Sequence, residues 1–412
     1  MRQKIKKILK WSEKYTKTDM TYVAKGGFWL IVNKIGLLLA SLATMYAFGN
    51  WLPQESFGVY QYIMSATVIA GIFTLEGIPT AIVKSISQGK EGTFWAGVKE
   101  RFKWSLVGSL GLLVGAGWYF FAGNMLLASG FLIAALFMPG ERIFETFKDF
   151  WNGRKDFKKR TQYTLISVFL SLLVLIPVIY LTNNVLIILL AYFGSHILFE
   201  GFYFFKTTQK TTNNDVDEST IPFGINLTVM ESLSKIAGHI DKVIVWHYLG
   251  PIQVAIYSFA ILPINKIKGL VPVIPLALPK LGERKIDEKK KRGVWEKFFK
   301  LFLIFIPLAL LLMVIAPYVY EILFPQYTES VIYFQALTLL AAIGGPLSLL
   351  KTALISEIKT KSLYIINTSF PVLKIILFIS LIPFYGIWGM VWAILFSEVF
   401  KGVLLLYFFN KI

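Results

Sequence analysis

The chain has 412 residues, of which 56% are hydrophobic and only 16% are charged. Soluble domains typically have about a quarter of their residues charged, so this composition indicates an integral membrane protein. The net charge of +18 raises the question of a nucleic-acid partner, and the absence of cysteine excludes disulfide bonds and thiolate metal sites.

The N-terminal segment, residues 1–21, is basic and has Ile5, Ile8 and Leu9 on one helical face among lysines. A cleavable signal peptide would follow its basic start with a continuous apolar core. We therefore expect either a short amphipathic helix on the cytoplasmic membrane surface or a frayed cytoplasmic tail.

Twelve apolar segments follow, each long enough for a helix to cross the hydrocarbon core, which takes about 20 residues. The first six predicted spans are 22–48, 57–83, 103–122, 126–147, 161–182 and 185–205. The second six are 222–247, 252–279, 299–319, 330–356, 363–383 and 386–409. The predicted fold class is therefore an all-α polytopic membrane protein.

The 42 lysine and arginine residues are concentrated in alternate connectors and at the termini, whereas the intervening connectors have none. Basic residues accumulate on the cytoplasmic side of membrane proteins. We therefore predict a multi-pass protein of the cytoplasmic (inner) membrane with both termini in the cytoplasm. A soluble basic protein would not show this alternation, so no nucleic-acid partner is expected.

The two halves of the chain repeat a pattern. Three residue pairs recur at a nearly constant offset: Tyr60 and Tyr257, Pro79 and Pro275, and Phe102 and Phe299. Duplication of a six-helix unit would leave both copies in one orientation, related by a pseudo-two-fold axis along the membrane normal. The predicted domains are an N-lobe at 22–205, a flexible cytoplasmic linker at 206–221, a C-lobe at 222–409 and a cytoplasmic C-terminus at 410–412.

Charged residues form a stripe on the seventh predicted span. Glu231, Lys235, His239 and Lys242 are spaced by one helical turn each, whereas Asp241 lies off this face. A charge at the bilayer centre costs about 2.5–3.5 kcal/mol on insertion scales, so such groups face a cavity or a partner. We favour a cavity wall that binds an anionic headgroup; the alternative is a stripe neutralised by a Glu231–Lys235 pair.

Further lysines lie within the predicted spans. Lys34, beside Asn33, is in the middle of the first span at the repeat position that matches Lys235, so we expect it on the same cavity. Lys266 follows Pro263 in the eighth span. It either binds substrate or caps carbonyls that the prolines of this span release.

Four residues are candidates for ion coupling or gating: Asp241, Glu76, Lys268 and Lys374. For Lys374, and for Lys351, the favoured interpretation is a lysine that extends to the interface or bonds a neighbouring helix. Two charged pairs are interpreted as structural: Arg142 with Glu141, and Lys401 with Glu398. His196 and Glu200, one turn apart, could form a proton relay, but a structural hydrogen bond is the favoured interpretation.

Several short motifs are similar to one family. The residues concerned are 57–60 (FGVY), 77–84 (GIPTAIVK), 152–153 (NG) with 156–158 (DFK), 241–245 (DKVIV), 248–251 (YLGP) and 256–258 (IYS). They resemble the polysaccharide-transporter branch of the multidrug/oligosaccharidyl-lipid/polysaccharide (MOP) exporter superfamily. That resemblance implies two six-helix lobes around a central cavity, and the transport of lipid-linked sugars or sugar polymers across the cytoplasmic membrane.

The resulting functional hypothesis is a flippase, not an enzyme, that moves an anionic lipid-linked oligosaccharide by alternating access. Its expected partners are the lipid-linked saccharide, membrane lipids and polysaccharide-assembly proteins. No cofactor is expected, and the coupling ion, Na⁺ or H⁺, is open.

Three alternatives differ in class. A cation-coupled multidrug exporter would need a carboxylate in the first lobe, but the first span has no Asp or Glu. A membrane-embedded glycosyltransferase is suggested by Asp215 and Asp217, which imitate a metal-binding DxD motif but lie in the polar linker. A non-transporting scaffold is the third alternative.

Overall fold

The computed structural model of the protein describes residues 20–270, 287–357 and 359–411, and every regular element within them is helical. The first eight α-helices are α1 (Met20–Trp51), α2 (Gln54–Ala70), α3 (Ile78–Ser87), α4 (Thr93–Phe121), α5 (Met125–Phe144), α6 (Phe147–Gly153), α7 (Phe157–Leu181) and α8 (Val185–Thr208). The others are α9 (Thr220–Leu249), α10 (Pro251–Leu270), α11 (Glu288–Leu323), α12 (Ser330–Leu337), α13 (Leu339–Ser356) and α14 (Thr360–Asn410).

These helices confirm the all-α polytopic class. Among the described residues, nine helical stretches are long and apolar enough to cross a membrane. The longest, α14, covers the eleventh and twelfth predicted spans. The non-helical backbone of Gly386 (φ 57°, ψ −135°) separates the two. The seventh predicted span corresponds to α9, which carries the charged stripe, and the eighth corresponds to α10. The chain therefore spans a membrane many times.

Asparagine and aspartate caps set several helix starts. The side chain of Asn124 accepts a hydrogen bond from Leu127 N at 3.0 Å, and Asp156 accepts one from Lys159 N at 3.0 Å. An oxygen at this position satisfies one of the backbone N–H groups that a helix start leaves without an intrahelical partner. These caps therefore mark the starts of α5 and α7.

The second predicted span, 57–83, is not the continuous helix that we expected. A 3₁₀ turn at Gly71–Thr74 and a left-handed Leu75 (φ 53°) divide it into α2 and α3. The carbonyl of Thr74 at the break accepts a hydrogen bond from Arg101 Nε at 3.3 Å. Hydropathy does not reveal this break, because the residues on both sides are equally apolar.

The described residues group into two compact units. The first contains Ala70–Met230 and the described residues up to Met45, and the second contains Tyr46–Ile69 and the described residues from Glu231 onward. The predicted linker 206–221 therefore falls inside the first unit.

The core of the first unit lies around α3. Ile78, Ile82 and Ile86 recur at one helical turn and pack in one cluster with Phe147 of α6 and Phe204 of α8. Full burial of each such side chain stabilises the fold by about 1.5–3 kcal/mol.

Part of the predicted linker is hydrogen-bonded to the rest of the first unit, and its flexibility remains a prediction. Glu91 Oε2 accepts from the backbone N–H of Thr212 at 2.7 Å, and Asn213 Nδ2 donates to Gly89 O at 2.8 Å. Asp217 N donates to Thr93 Oγ1 at 2.8 Å. We call residues 211–218 the strap.

The second unit has an aromatic core. Phe57 of α2 makes an edge contact with Phe259 of α10, which stacks on Tyr327 at a centroid distance of 3.6 Å. Gly58 packs so closely on the carbonyl of Pro251 that an added Cβ would overlap it. Residues 46–69 are therefore packed against the start of α10.

Candidate functional site

The charged stripe of α9 divides into separate environments. Glu231 and Lys235 form an ion pair at 3.6 Å along the helix, as the neutralised-stripe alternative predicts for this pair. His239 is half-buried. Lys242 is 9% exposed, and its Nζ donates to Gln61 Oε1 of α2 at 2.7 Å.

Asp241, which lies off the stripe, reaches a cavity of about 220 Å³ inside the second unit, which we call the chamber. Five other polar side chains line it: Tyr257 and Asn265 of α10, and Lys374, Ser397 and Glu398 of α14. The chamber thus joins two carboxylates, an ammonium group, a phenol, an amide and the hydroxyl of Ser397. It can bind a small polar or charged group.

Hydrogen bonds hold the carboxylate of Asp241 in a defined orientation. The hydroxyl of the fully buried Tyr257 donates to Asp241 Oδ2 at 2.6 Å. The backbone N–H of Lys242 donates to Asp241 Oδ1 at 2.8 Å. Both oxygens of the carboxylate therefore have a hydrogen-bond donor within the second unit.

Lys374 connects two helices of the chamber. Its Nζ donates to Ala237 O of α9 at 3.0 Å and lies 5.2 Å from the ring centroid of Phe378. The sequence-based preference for a bond to a neighbouring helix agrees with this geometry. Its role in coupling or gating remains a prediction.

The second carboxylate of the chamber has its own lysine. Lys401 Nζ donates to Glu398 Oε1 at 2.7 Å and lies over the ring of Phe370 at 5.0 Å. Lys351, by contrast, donates to Asn367 Oδ1 at 3.2 Å and does not line the chamber.

The candidate residues of the first unit lie in different environments. Asn33 is 7% exposed, and its Oδ1 has no hydrogen-bond partner among the described residues. Lys34 is exposed on the next position of α1. Glu76 lies at the break between α2 and α3 and pairs with Arg142 at 4.0 Å.

The two remaining candidates are on α10. Lys266 is exposed, and the side chain of Lys268 lies outside the described residues. Lys266 is not among the described residues that line the chamber.

Sequence reasoning missed an ionic cluster in the first unit. Arg101 and Glu145 pair at 3.0 Å, and Lys148 and Glu200 pair at 2.7 Å. The sequence shows these charges near the ends of apolar segments. Their partners could not be identified, since each bond joins residues more than 40 positions apart.

A sequence-family model described as "Polysaccharide biosynthesis protein" matches residues 51–332 of the chain. No curated protein sequence matches the chain significantly.

Three solved structures that share this fold are named as a flippase or as transporters. The lipid II flippase MurJ, in an inward closed conformation, superposes with a TM-score of 0.64 at 16% identity, over 92% of this chain and 87% of MurJ. A MOP superfamily transporter from Pyrococcus furiosus gives 0.59 at 13% identity, over 92% and 93% of the two chains. An inward-facing multidrug resistance MATE family transporter gives 0.65 at 14% identity, over 90% and 94%. The chain therefore belongs to the polysaccharide biosynthesis protein family and has the fold of the MOP exporter superfamily.

Proposed function

We propose that the protein is a flippase that moves an anionic lipid-linked oligosaccharide, on an isoprenoid phosphate or diphosphate carrier, to the outer leaflet of the cell membrane. The observation that carries this proposal is the excess of lysines on helices α1, α9 and α10. Lys34, Lys235, Lys242 and Lys266 lie there, against the acidic residues Glu231 and Asp241.

Charge energetics favour an anionic substrate for such helices. A lysine within the hydrocarbon region costs about 2.5–3.5 kcal/mol unless water or a counter-charge accompanies it. A phosphate that passes along these helices would supply that counter-charge transiently. Lysine suits the task because its ammonium is a compact charge that tolerates different phosphate orientations.

The proposed direction of transport follows from the basic connectors. They orient the chain with both termini in the cytoplasm, so substrate enters from the cytoplasmic leaflet. The membrane potential, negative inside, then favours export of each net negative charge by about 2.3 kcal/mol per 100 mV. The carrier lipid would remain in the bilayer while its headgroup crosses.

The test is the removal of single charges at Lys34→Gln, Lys235→Gln and Lys242→Gln, with intracellular accumulation of carrier-linked saccharide as the readout. We expect export to fall by about tenfold, which corresponds to about 1.4 kcal/mol of lost transition-state stabilisation. Lys361→Gln is the matched control, because this lysine is exposed in the first turn of α14. Normal export by all three variants would contradict the proposal.

A multidrug exporter is the second candidate. The observation in its favour is the pair of carboxylates in the chamber, Asp241 and Glu398, which could bind an organic cation. Against it, α1 has no acidic residue over Met20–Trp51. Efflux of a cationic dye from cells that express the protein, with loss of efflux in Asp241→Asn, would support this candidate over the flippase.

A further inference from the structure

The charges of the chamber offer an answer to the open question of the coupling ion. Its walls provide oxygen ligands of the type that hard metal cations prefer, from Asp241, Glu398, Tyr257 and Asn265. By residue type alone, the chamber could hold Na⁺. The same wall, however, carries the ammonium group of Lys374.

Each carboxylate of the chamber already has a cation nearby. Glu398 accepts a hydrogen bond from Lys401 at 2.7 Å. Lys374 is within electrostatic reach of Asp241 and Glu398. Lys351 is also within electrostatic reach of Glu398. The two carboxylates are thus matched by at least two ammonium groups, so the chamber has no excess of negative charge to attract a metal ion.

The position of Lys374 is fixed by contacts that do not involve the carboxylates. Its Nζ donates to Ala237 O at 3.0 Å, and Ala237 lies one helical turn before Asp241 on α9. The ammonium group therefore lies against the turn of α9 that carries Asp241. It joins α9 to α14 across the chamber.

Two other lysines, one on α9 and one on α13, donate to acceptors outside the chamber. Lys242 donates to Gln61 of α2, and Lys351 donates to Asn367 within the α13–α14 pair. Among the described residues that line the chamber, Lys374 is the one cationic side chain.

We infer that Lys374 is the counter-cation of the chamber. Its covalently held ammonium group neutralises the carboxylates that would otherwise bind a coupling metal ion, and it thereby prevents Na⁺ from binding. Its consequence for transport rests on the proposed function: export is then driven by the charge of the substrate and the membrane potential, without Na⁺ bound in the chamber. The statement about Na⁺ binding holds whatever the substrate is.

The test compares thermal unfolding of the purified protein in NaCl and in choline chloride at equal ionic strength. A ligand that binds only the folded state raises its unfolding temperature. For the wild type we expect no difference between the two salts. For Lys374→Gln, which keeps a donor for Ala237 O but loses the charge, we expect a Na⁺-specific rise of several degrees that Asp241→Asn in the same chain abolishes.

Lys361→Gln is the control, since it removes an exposed lysine of α14 that does not line the chamber, and we expect no response to Na⁺. A Na⁺-specific rise in the wild type, or no response in folded Lys374→Gln protein, would overturn the inference. If that variant does not fold, ²²Na⁺ binding to the wild type decides. Stoichiometric binding that Asp241→Asn abolishes would refute the inference, and no binding supports it.

This experiment is separable from the test of the proposed function. Ion binding is measured on the purified protein without substrate. A failure of the flippase proposal appears only as normal export in the lysine variants of α1 and α9. In the export assay itself, replacement of Na⁺ by choline should leave wild-type flux unchanged.

Discussion

At the residue scale, the partners of the ionisable side chains in the spans decide what each can do. Lys148 and Glu200 illustrate this, because their side chains are 25% and 5% exposed and pair at 2.7 Å. His196 lies 3.9 Å from the same carboxylate. A pair of this kind gives little net stabilisation over an apolar pair, but the loss of Lys148 removes the main counter-charge of the buried Glu200.

We therefore predict that Lys148→Met lowers the free energy of unfolding by about 3–5 kcal/mol, as measured by denaturant unfolding in detergent micelles. Lys103→Met is the control, since Lys103 is 70% exposed where it pairs with Glu100, and its loss should cost less than about 1 kcal/mol. The double variant Lys148→Met/Glu200→Leu should recover most of the loss. Equal effects of the two single variants would contradict this assignment.

At the element scale, the strap shows how a connector can be held by one carboxylate. Glu91 binds the guanidinium of Arg154 through both oxygens, at 2.6 and 2.7 Å, and also accepts from the backbone of Thr212. Burial raises the pKa of Glu91, but hydrogen bonds from Arg154 and Thr212 outweigh it, so the net pKa lies below its ordinary value. Arg154 also donates to the carbonyl of Lys210.

The lowered pKa gives a pH prediction. A carboxyl group whose pKa is lower in the folded state contributes stability above its unfolded pKa and loses it as the pH falls through the folded value. Glu91→Gln should therefore destabilise the protein by about 1.5–3 kcal/mol at neutral pH. The difference from wild type should shrink below about pH 4.3, the usual glutamate pKa, in thermal unfolding measured against pH.

Glu218→Gln is the control for the strap, because Glu218 is an exposed acidic residue of the same segment. It should match the wild type at every pH. Cleavage by trypsin after Lys210 should be faster in Glu91→Gln than in the wild type or in Glu218→Gln, because the strap then loses its hydrogen bonds to the carboxylate of residue 91. A pH-independent difference between wild type and Glu91→Gln would disprove the role of this carboxylate.

At the scale of the whole molecule, the balance of charge within the spans connects the fold to the energetics of transport. If the substrate crosses with a net negative charge, its movement is electrogenic. Movement of one charge across a potential of 100 mV then changes the free energy of transport by about 2.3 kcal/mol. The ammonium group of Lys374 is part of the protein and does not cross the membrane with the substrate, so it does not cancel the charge that the substrate carries.

We predict that export in reconstituted vesicles accelerates when the potential is negative on the side from which substrate leaves, and slows when the potential is reversed. A fluorescent lipid-linked saccharide diphosphate is the substrate, and a potassium gradient with valinomycin sets the potential. A zwitterionic lipid probe of equal chain length is the control and should not respond. Transport that is indifferent to the sign of the potential would contradict electrogenic export.

The sequence by itself determined the helical class, the number of predicted spans and their approximate positions. It could do so because a helix in lipid must satisfy its backbone within about 20 consecutive apolar residues, which is a local property. It also identified the ionisable residues of α9 as unusual. That Asp241 lies off the stripe followed from helical periodicity, since consecutive residues of a helix point in different directions.

Only the tertiary structure decided which groups these residues meet. Tyr257 reaches Asp241, Lys374 reaches Ala237, and the strap reaches Glu91 through contacts between residues 16, 137 and 121 positions apart. The break at Leu75 and the packing of Gly58 on Pro251 are equally invisible to hydropathy. Hydropathy reports transfer into lipid residue by residue, whereas a charge in the chamber is stabilised by partners that folding alone brings within hydrogen-bond distance.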